Sequence, residues 1–563
     1  MHFLESSRHY FQMVPFVHEV AATIAAEYFN EYNYRNGLKE RAFVLVTAGP
    51  GLTNAITAIA GAYLESRELL IIGGQVKTDD LKSSKLRQRG IQEIDGISLT
   101  KSITKKSVRL KSNPLKNDIP GLISLTKMDR KGPVFLELPL NLQAKEYPVK
   151  KIQGIKIAPL KSPSKIQLES FVHEFNKAEK PVILLGAGFN AMSIKNFRSK
   201  VNAFNAPIQC TWNGINNLDE DHKLNFGRPN TWGQRYANII IQQADLVVAL
   251  GTRLSMQQTG FNWKLFNKFG KIVQVDLDQE ELNKGHPLTD YKICCDANDF
   301  FIKSSTMIKK KSHKEWIERC NAIKNHFPIV EKNYTGEQYI SPFHFCETLC
   351  NLISDNTNII PCSSGGAFTS SMQVLKKRAG QTVISNKALA SMGYGLSGAI
   401  GVAIAEPEKN VILLEGDGGF LQNLQELGTA KVNNLNIKII IYNDNGYASI
   451  RMTQKNYFGG DYIGCDGNTG LGMPDFRKLA ESYEIKFYEV TPKIFKNKKK
   501  LSKILNQNEL SLIVIPIDPE QTYFPKISSR VLKNGNMESM PLHIMSPECN
   551  DEISLELMRN PDE

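Results

Sequence analysis

Cysteine and long apolar runs are scarce in this sequence. Nine cysteines among 563 residues are too few for a disulfide-stabilised scaffold and are typical of a protein from a reducing compartment. The sequence contains no run of about 18 consecutive apolar residues, which a transmembrane helix would need. Its first residues also lack the basic and apolar regions of a secretory signal. We therefore expect a soluble cytoplasmic protein with no membrane partner.

Positive charge is in excess, with a formal net charge of +12, so a nucleic-acid partner has to be considered. The two densest lysine runs span residues 309–314 and 493–503. They are not interleaved with aromatic residues in the manner of a base-stacking surface, and runs of like charge usually form solvated helix faces. We therefore expect no nucleic acid among the partners.

Short β-branched runs alternate with helical stretches in three blocks of the chain. At roughly 150 residues per domain, the length fits three or four domains. The alternation is typical of parallel α/β sheets, and it predicts three doubly wound α/β domains. The predicted boundaries are residues 1–150, 160–310 and 335–530, with a tail at 531–563. Residues 145–165, rich in lysine and proline, are interpreted as a linker.

Two strand ends in the third block carry a pattern of glycines and side-chain oxygens. One hydrophobic strand ends at Gly416–Gly419, where the absence of side chains lets backbone amides approach a phosphate. After a helix, the next strand ends at Asn443–Gly446. A turn and a hairpin would explain these residues more simply. The helix and two buried strands between them favour a site for Mg²⁺ and a diphosphate instead.

This spacing resembles that of the thiamine diphosphate enzymes of the acetolactate synthase group, and the resemblance extends over nearly the whole chain. It implies thiamine diphosphate and Mg²⁺ as cofactors. It also implies a pyrimidine-binding domain at 1–150, short at its beginning, a central nucleotide-type domain at 160–310 and a diphosphate-binding domain at 335–530. The cofactor-binding glycines implied in the third domain are Gly416, Gly418 and Gly419.

The metal ligands implied by the resemblance are Asp417, the side chain of Asp444 and the carbonyl of Gly446. The family usually has asparagine where this chain has Asp444. An aspartate can also bind Mg²⁺, but it adds negative charge beside a diphosphate. Asn445 is the alternative ligand if the register shifts by one residue.

A helix is predicted to begin near Glu19, and a glutamate there gains from the helix dipole whether or not it has a function. With the Gly-Pro-Gly loop at Gly49, this stretch is similar to the family's catalytic helix. The resemblance implies that Glu19 hydrogen-bonds the aminopyrimidine ring and promotes the tautomer that deprotonates the thiazolium. Gln92 is similar to a glutamine that faces the active centre. Met392 resembles the residue over which the cofactor folds, although a core methionine is the simpler interpretation.

A pair of strand ends in the central block, residues 251–254 and 275–281, is similar to the domain that binds FAD in acetolactate synthase and pyruvate oxidase. Arg253 and Asp276 are the candidate FAD-binding residues. Some family members keep this domain without FAD, and such strand ends indicate only a nucleotide. Whether the central domain binds FAD therefore stays open.

The resemblance implies a carboligase that decarboxylates a 2-oxo acid such as pyruvate and transfers the two-carbon unit to a carbonyl acceptor. Residues 445–476 differ from true acetolactate synthases and look more like a subgroup associated with nucleotide-sugar and lipopolysaccharide pathways, so the acceptor could be a keto sugar. A basic rim near Arg451 and Lys455 would attract its diphosphate. Residues 359–368 also depart from the synthases.

In this family the active site lies between the first domain of one subunit and the third domain of another. The resemblance therefore implies a homodimer or a homotetramer. Two alternatives stay open: a decarboxylase or C–C hydrolase on the same scaffold, and a catalytically silent subunit. The short stretch before His18 motivates the second alternative.

Overall fold

Three parallel β-sheets organise the chain in the computed structural model. It describes residues 2–83, 85–111, 118–145, 158–309, 312–331, 335–531 and 537–560. Helices flank each of the three sheets, which confirms the predicted class of three doubly wound α/β domains. The greater part of the predicted linker, residues 146–157, lies outside the described residues.

The first sheet has the strand order β1-β2-β4-β3. Every residue of its strand Pro133–Pro139 is buried, as is usual for a parallel strand covered on both faces. Phe3 and Phe11 pack edge-on against Phe43, with ring centroids 6.4 and 5.1 Å apart. The elements of this domain are β1 (Phe43–Val46), β2 (Leu69–Gln75), β3 (Lys106–Arg109), β4 (Pro133–Pro139), α1 (His2–Ser7), α2 (Glu19–Arg35), α3 (Pro50–Leu64), α4 (Gly96–Thr100), α5 (Asp118–Lys127) and α6 (Leu140–Gln143).

The central sheet has the strand order β6-β5-β7-β8-β9. Two of its three inner strands, β5 and β7, are buried along their whole length because helices cover both faces. The elements of this domain are β5 (Pro181–Leu185), β6 (Ile208–Cys210), β7 (Leu246–Leu250), β8 (Lys271–Asp276), β9 (Tyr291–Cys294), α7 (Lys165–Lys177), α8 (Phe197–Phe204), α9 (Arg235–Gln242), α10 (Met256–Thr259), α11 (Gln279–Asn283), α12 (Ala297–Met307) and α13 (Lys314–His326).

The third sheet has the strand order β10-β11-β12-β14-β13. The strands that end in the two sequence motifs, β11 and β12, are direct parallel neighbours. The elements of this domain are β10 (Thr357–Pro361), β11 (Asn410–Gly416), β12 (Ile437–Asn443), β13 (Lys486–Glu489), β14 (Ser511–Pro516), α14 (Pro342–Leu352), α15 (Gly365–Val374), α16 (Tyr394–Ala405), α17 (Asp417–Phe420), α18 (Leu427–Val432), α19 (Ala448–Tyr457), α20 (Phe476–Ser482), α21 (Pro492–Lys496) and α22 (Lys498–Leu505).

The tail packs against the central domain, although its sequence shows little periodicity. Two short antiparallel pairs, β15 (Lys526–Ile527) with β18 (Met545–Ser546) and β16 (Ser529–Val531) with β17 (Met537–Ser539), precede helix α23 (Glu552–Met558). The side-chain amide of Gln243 donates to the carbonyl of Leu557 at 2.7 Å. These contacts attach the chain end to helix α9 and its surroundings.

Helices α2 and α16 join the first and third domains through small residues. A Cβ at Gly398 would lie 2.6 Å from the ring of Tyr28, and one at Gly401 would overlap the carbonyl of Ala25. The two helices approach this closely because glycine leaves room for the facing helix. In the described part of the chain, no helix has the length and apolar character needed to cross a membrane.

Buried arginines of the first domain bind groups of the other two domains. Arg67 donates to the carboxylate of Glu27 at 2.6 Å and also to the carbonyl of Ser385 in the third domain. Burial raises the pKa of Glu27 to about 7, although Arg67 opposes that rise. Arg35 donates to the carbonyl of Ala187 in the central domain at 2.6 Å. The three domains are thus linked by buried polar contacts.

Candidate active site

The two motifs of the third domain meet at one edge of its sheet. Strands β11 and β12 run parallel and side by side, so both end at the same edge. The backbone N–H of Gly446 donates to one carboxylate oxygen of Asp417 at 3.0 Å, and that of Gly418 donates to the other at 2.7 Å. Asp417 is therefore held rigidly between the two loops.

A cavity of about 290 Å³ opens at this edge. Seven of its lining residues are those that the sequence singled out: Met392, Gly416, Asp417, Gly418, Gly419, Asp444 and Gly446. Others were not assigned a role in the sequence analysis: Ser364, Gly365, Gly366, Tyr447, Ile517 and Tyr523. The structure thus brings the predicted third-domain residues together around one cavity.

Glycine is required where the second motif turns. Gly446 has a φ of 147°, a conformation that side-chain-bearing residues rarely adopt. A Cβ at this position would also overlap the carbonyl oxygen of Cys465. The backbone of Gly446 therefore stays next to Asp417 only as long as it has no side chain.

The carboxylates at the cavity are deeply buried. Asp417 is 1% exposed and Asp444 is 8% exposed. Burial raises the pKa of Asp417 to about 6. Burial and the neighbouring Asp417 carboxylate raise the pKa of Asp444, whereas the guanidinium of Arg451 opposes this rise. A divalent cation would stabilise the ionised form of both groups.

The donor set fits a cation that shares its shell with a diphosphate. Among the described residues, no group of three or more His, Cys, Asp and Glu side chains is arranged to hold a metal ion. Asp417, Asp444 and the carbonyl of Gly446 offer three oxygens. Mg²⁺ favours an octahedral shell of oxygen ligands and commonly takes phosphate oxygens and waters besides one or two carboxylates.

Helix α15 contributes the part of the site that sequence reasoning missed. Its N-cap Ser364 and its first residues, Gly365 to Ala367, line the cavity shortly after strand β10 ends. The space beside Gly365 is open, since nothing lies within 4 Å of a Cβ placed there. A helix N-terminus of this kind binds anions through its free backbone N–H groups. The Ser-Ser-Gly-Gly sequence after the strand was the signal for this element.

The prediction of a basic rim near Arg451 and Lys455 is wrong for Arg451. Arg451 is 4% exposed and donates to the side chain of Asp444 at 2.7 Å, so it belongs to the interior of the site. Lys455 is exposed and pairs with Glu520. The seven-residue spacing of Asp444 and Arg451 crosses a loop and the first turn of α19, which made their contact hard to foresee.

The first-domain candidates form a second group around the start of α2 and α3. Glu19 begins α2, is half-buried and accepts a hydrogen bond from the amide of Asn54 at 3.0 Å. Gly49, with a φ of 60°, precedes α3. A Cβ there would overlap the carbonyl of Gln92, itself at a φ of 57°. The structure therefore places the Gly-Pro-Gly loop beside both Glu19 and Gln92.

Within the described ranges of the chain, the first-domain group lies apart from the lining of the third-domain cavity. Of the described residues that line the cavity, none belongs to the first domain. A contact does connect the region before Glu19 with the third domain: the backbone N–H of His18 donates to the carboxylate of Glu426 at 3.0 Å. Among the residues that the structure describes, the side chain of Glu19 is hydrogen-bonded to Asn54 and to none of the cavity residues.

Three families match successive parts of the chain. Residues 1–99 match the N-terminal TPP binding domain of thiamine pyrophosphate enzymes, residues 168–303 the central domain and residues 364–515 the C-terminal TPP binding domain. The chain belongs to the thiamine pyrophosphate enzymes. Thiamine pyrophosphate is the cofactor called thiamine diphosphate above.

Curated relatives of this thiamine pyrophosphate enzyme include large subunits of acetolactate synthase. The probable large subunit of Methanocaldococcus jannaschii is 28% identical over 525 residues, which is 90% of this chain and 85% of the relative. The large subunit of Lactococcus lactis is 28% identical over 91% of this chain and 86% of its own length. Acetolactate synthase 1, chloroplastic, of Zea mays is 27% identical over 85% and 75%. The chain is thus an enzyme of the acetolactate synthase type.

The flavin candidates of this thiamine pyrophosphate enzyme lie at the carboxyl edge of the central sheet, where first-domain residues also bind. Asp276 ends strand β8. Arg130 of the first domain pairs with Asp278 at 2.7 Å and with Glu281 at 3.1 Å, and Arg253 lies 4.0 Å from Glu281. The acidic groups of this edge are engaged by arginines. FAD binding by Arg253 and Asp276 stays a prediction.

Proposed function

We propose that the chain is a thiamine diphosphate-dependent carboligase that decarboxylates a 2-oxo acid, pyruvate in the first instance, and transfers the two-carbon unit to a carbonyl acceptor. The observation that carries this proposal is the hydrogen-bonded junction of Asp417 with Gly446 at a buried, glycine-lined cavity. Acetolactate synthase, the name of the relatives above, describes a reaction of this kind.

The residues of the third domain would hold the diphosphate end of the cofactor. Asp417, Asp444 and the carbonyl of Gly446 would bind Mg²⁺, and the start of α15 would bind the diphosphate. Met392 would pack against the rings. Thiamine diphosphate, when bound, supplies the carbanion chemistry of the reaction. The protein supplies orientation and a site shielded from water.

Glu19 would act at the other end of the cofactor. Its carboxylate lies at the start of α2, with one oxygen bound to the amide of Asn54, and would exchange a proton with the aminopyrimidine ring. Gln92, beside the Gly49 loop, would face the same ring and the substrate. We infer that a second subunit brings these groups to the cavity, as a homodimer or homotetramer, because no described first-domain residue lines the cavity of its own chain.

Exposed apolar side chains support this assembly. Near Glu19, Val17 is 68% exposed and Ile91 is 89% exposed. After α19, which lines the cavity, Phe458 and Ile463 are exposed as well. Apolar side chains of this size near a site commonly mark a protein interface.

We further propose a keto sugar as acceptor, from the likeness of residues 445–476 given above, and a cytoplasmic location.

Substitution of Glu19 tests the proposed reaction. We expect Glu19→Gln to lose at least about a hundredfold in pyruvate consumption, the usual contribution of a positioned acid–base group, while thermal unfolding stays unchanged. Glu40→Gln, an exposed first-domain carboxylate, is the matched control. Full activity of Glu19→Gln would overturn its role.

Product analysis separates the alternatives. With pyruvate and a keto-sugar acceptor, a carboligase yields the joined product, whereas a decarboxylase releases acetaldehyde from pyruvate alone. A hydrolase would cleave a diketone and leave pyruvate unused. Calorimetry with thiamine diphosphate and Mg²⁺ tests the silent-subunit alternative, because such a subunit would give no saturable heat.

A further inference from the structure

Arg451 is the centre of a buried hydrogen-bond network at the second motif. Its guanidinium donates to the carboxylate of Asp444 at 2.7 Å and to the carbonyl of the same residue at 2.7 Å. It also donates to the carbonyls of Asn445 at 3.4 Å and Pro519 at 3.3 Å. One side chain thus fixes both the carboxylate and the backbone of the loop that carries Gly446.

The charge of Arg451 matters because several carboxylates share the buried site, and burial raises the pKa of one of them, Glu415, to about 8. Asp417 and Asp444 both line the cavity, and a diphosphate would add further negative charge. A buried carboxylate is strongly unfavourable unless an opposite charge accompanies it. Arg451 supplies that charge at 2.7 Å from Asp444, so that the pair is formally neutral whenever Asp444 is ionised.

We propose that Arg451 is the positioning residue that allows an aspartate to serve at position 444, and that the two residues work only as a pair in binding Mg²⁺ with the diphosphate. This inference rests on the proposed function. It has an unusual consequence for Asp444→Asn, which introduces the residue usual in the family. That substitution leaves the buried guanidinium of Arg451 without its carboxylate and adds positive charge beside the cation.

A double-mutant cycle tests the pairing. The variants are Asp444→Asn, Arg451→Gln and the double variant, and glutamine is chosen because its amide can still donate to the loop carbonyls. Calorimetry measures the dissociation constant of Mg²⁺ in saturating thiamine diphosphate and that of thiamine diphosphate in saturating Mg²⁺. Arg477→Gln, an exposed arginine paired with Glu489, is the control for loss of one positive charge.

We expect Asp444→Asn to weaken Mg²⁺ binding and Arg451→Gln to weaken thiamine diphosphate binding, each by at least about tenfold. The double variant restores the charge of the site, so it should bind both within a few-fold of the unchanged protein. If the losses of the two single variants instead multiply in the double variant, the residues act independently and the proposal is overturned. Arg477→Gln should bind both normally.

A second readout needs no cofactor. Chemical unfolding of the four cofactor-free proteins should show the same non-additivity, with each single variant less stable than the double variant. Additive losses in this measurement would overturn the pairing as well. If the unchanged protein gives no heat with thiamine diphosphate and Mg²⁺, the proposed function fails, and the unfolding cycle alone still decides whether Asp444 and Arg451 are energetically coupled.

Discussion

At the scale of single residues, the backbone of Gly446 is the least replaceable part of the site. We expect Gly446→Ala to lose measurable thiamine diphosphate binding and about 1–3 kcal/mol of unfolding free energy, because the added Cβ requires a strained φ and displaces the carbonyl of Cys465. Calorimetry and chemical unfolding measure the two effects. Gly472→Ala, where nothing lies within 4 Å of the added Cβ, should behave like the unchanged protein.

The residues that follow the ends of neighbouring strands could be predicted from the sequence. Asp417 and Gly446 follow two neighbouring strands, so their meeting could be expected once both strands were recognised. Arg451 was misplaced at the rim because a helix of mixed polarity does not reveal from its sequence which side chain turns inward. Burial of an arginine depends on the acceptors that surround it, here carbonyls of residues as distant as Pro519.

At the scale of elements, the start of α2 depends on a carboxylate of the third domain. Glu426 is fully buried and accepts hydrogen bonds from the backbone N–H groups of Val17 and His18, at 3.3 and 3.0 Å. It also accepts from the hydroxyl of Thr429 at 2.6 Å. Hydrogen bonds to a buried charged group are stronger than neutral ones. Glu426 thus fixes the backbone immediately before Glu19.

We expect Glu426→Gln to lower the unfolding free energy by about 1–3 kcal/mol, because an amide cannot accept from all three donors without turning its own N–H groups toward one of them. Hydrogen exchange of the amides of residues 17–20 should become faster than in the unchanged protein. Glu481→Gln, an exposed glutamate of the same domain, is the control. Unchanged exchange at residues 17–20 would contradict the coupling between Glu426 and the start of α2.

The buried strands were easier to predict than the contacts between distant segments of the chain. Apolar runs such as residues 439–442, within strand β12, indicate a buried parallel strand by composition alone. The tail could not be predicted in this way, since its final helix α23 is held by contacts with a distant part of the chain, such as that of Gln243 with Leu557. The contacts at the carboxyl edge of the central sheet were also hard to predict, because nothing in the sequence of residues 275–281 shows that Arg130 binds there.

At the scale of the whole molecule, the predicted catalytic, cofactor-binding and metal-binding residues form two separate groups. Glu19, Gly49 and Gln92 gather in the first domain, whereas Asp417 and its neighbours gather in the third. The sequence indicated each group, and we propose that an assembly of two chains brings the two groups together. A closed two-fold dimer would create two equivalent sites, each with one half from either chain.

Mixed oligomers test whether the halves come from different chains. Glu19→Gln and Asp417→Asn chains should each be inactive alone, because every site then lacks one half. After co-expression and random pairing, the mixture should show about a quarter of the activity of the unchanged protein. Half of the dimers are then mixed, and one of the two sites in each mixed dimer is intact. Product formation from pyruvate measures the recovery.

Pairing Glu19→Gln with a chain that carries both substitutions leaves no Glu19 and should restore nothing. If the first mixture also stays inactive, although two differently tagged chains co-purify as mixed dimers, Glu19 and Asp417 of one chain serve the same site.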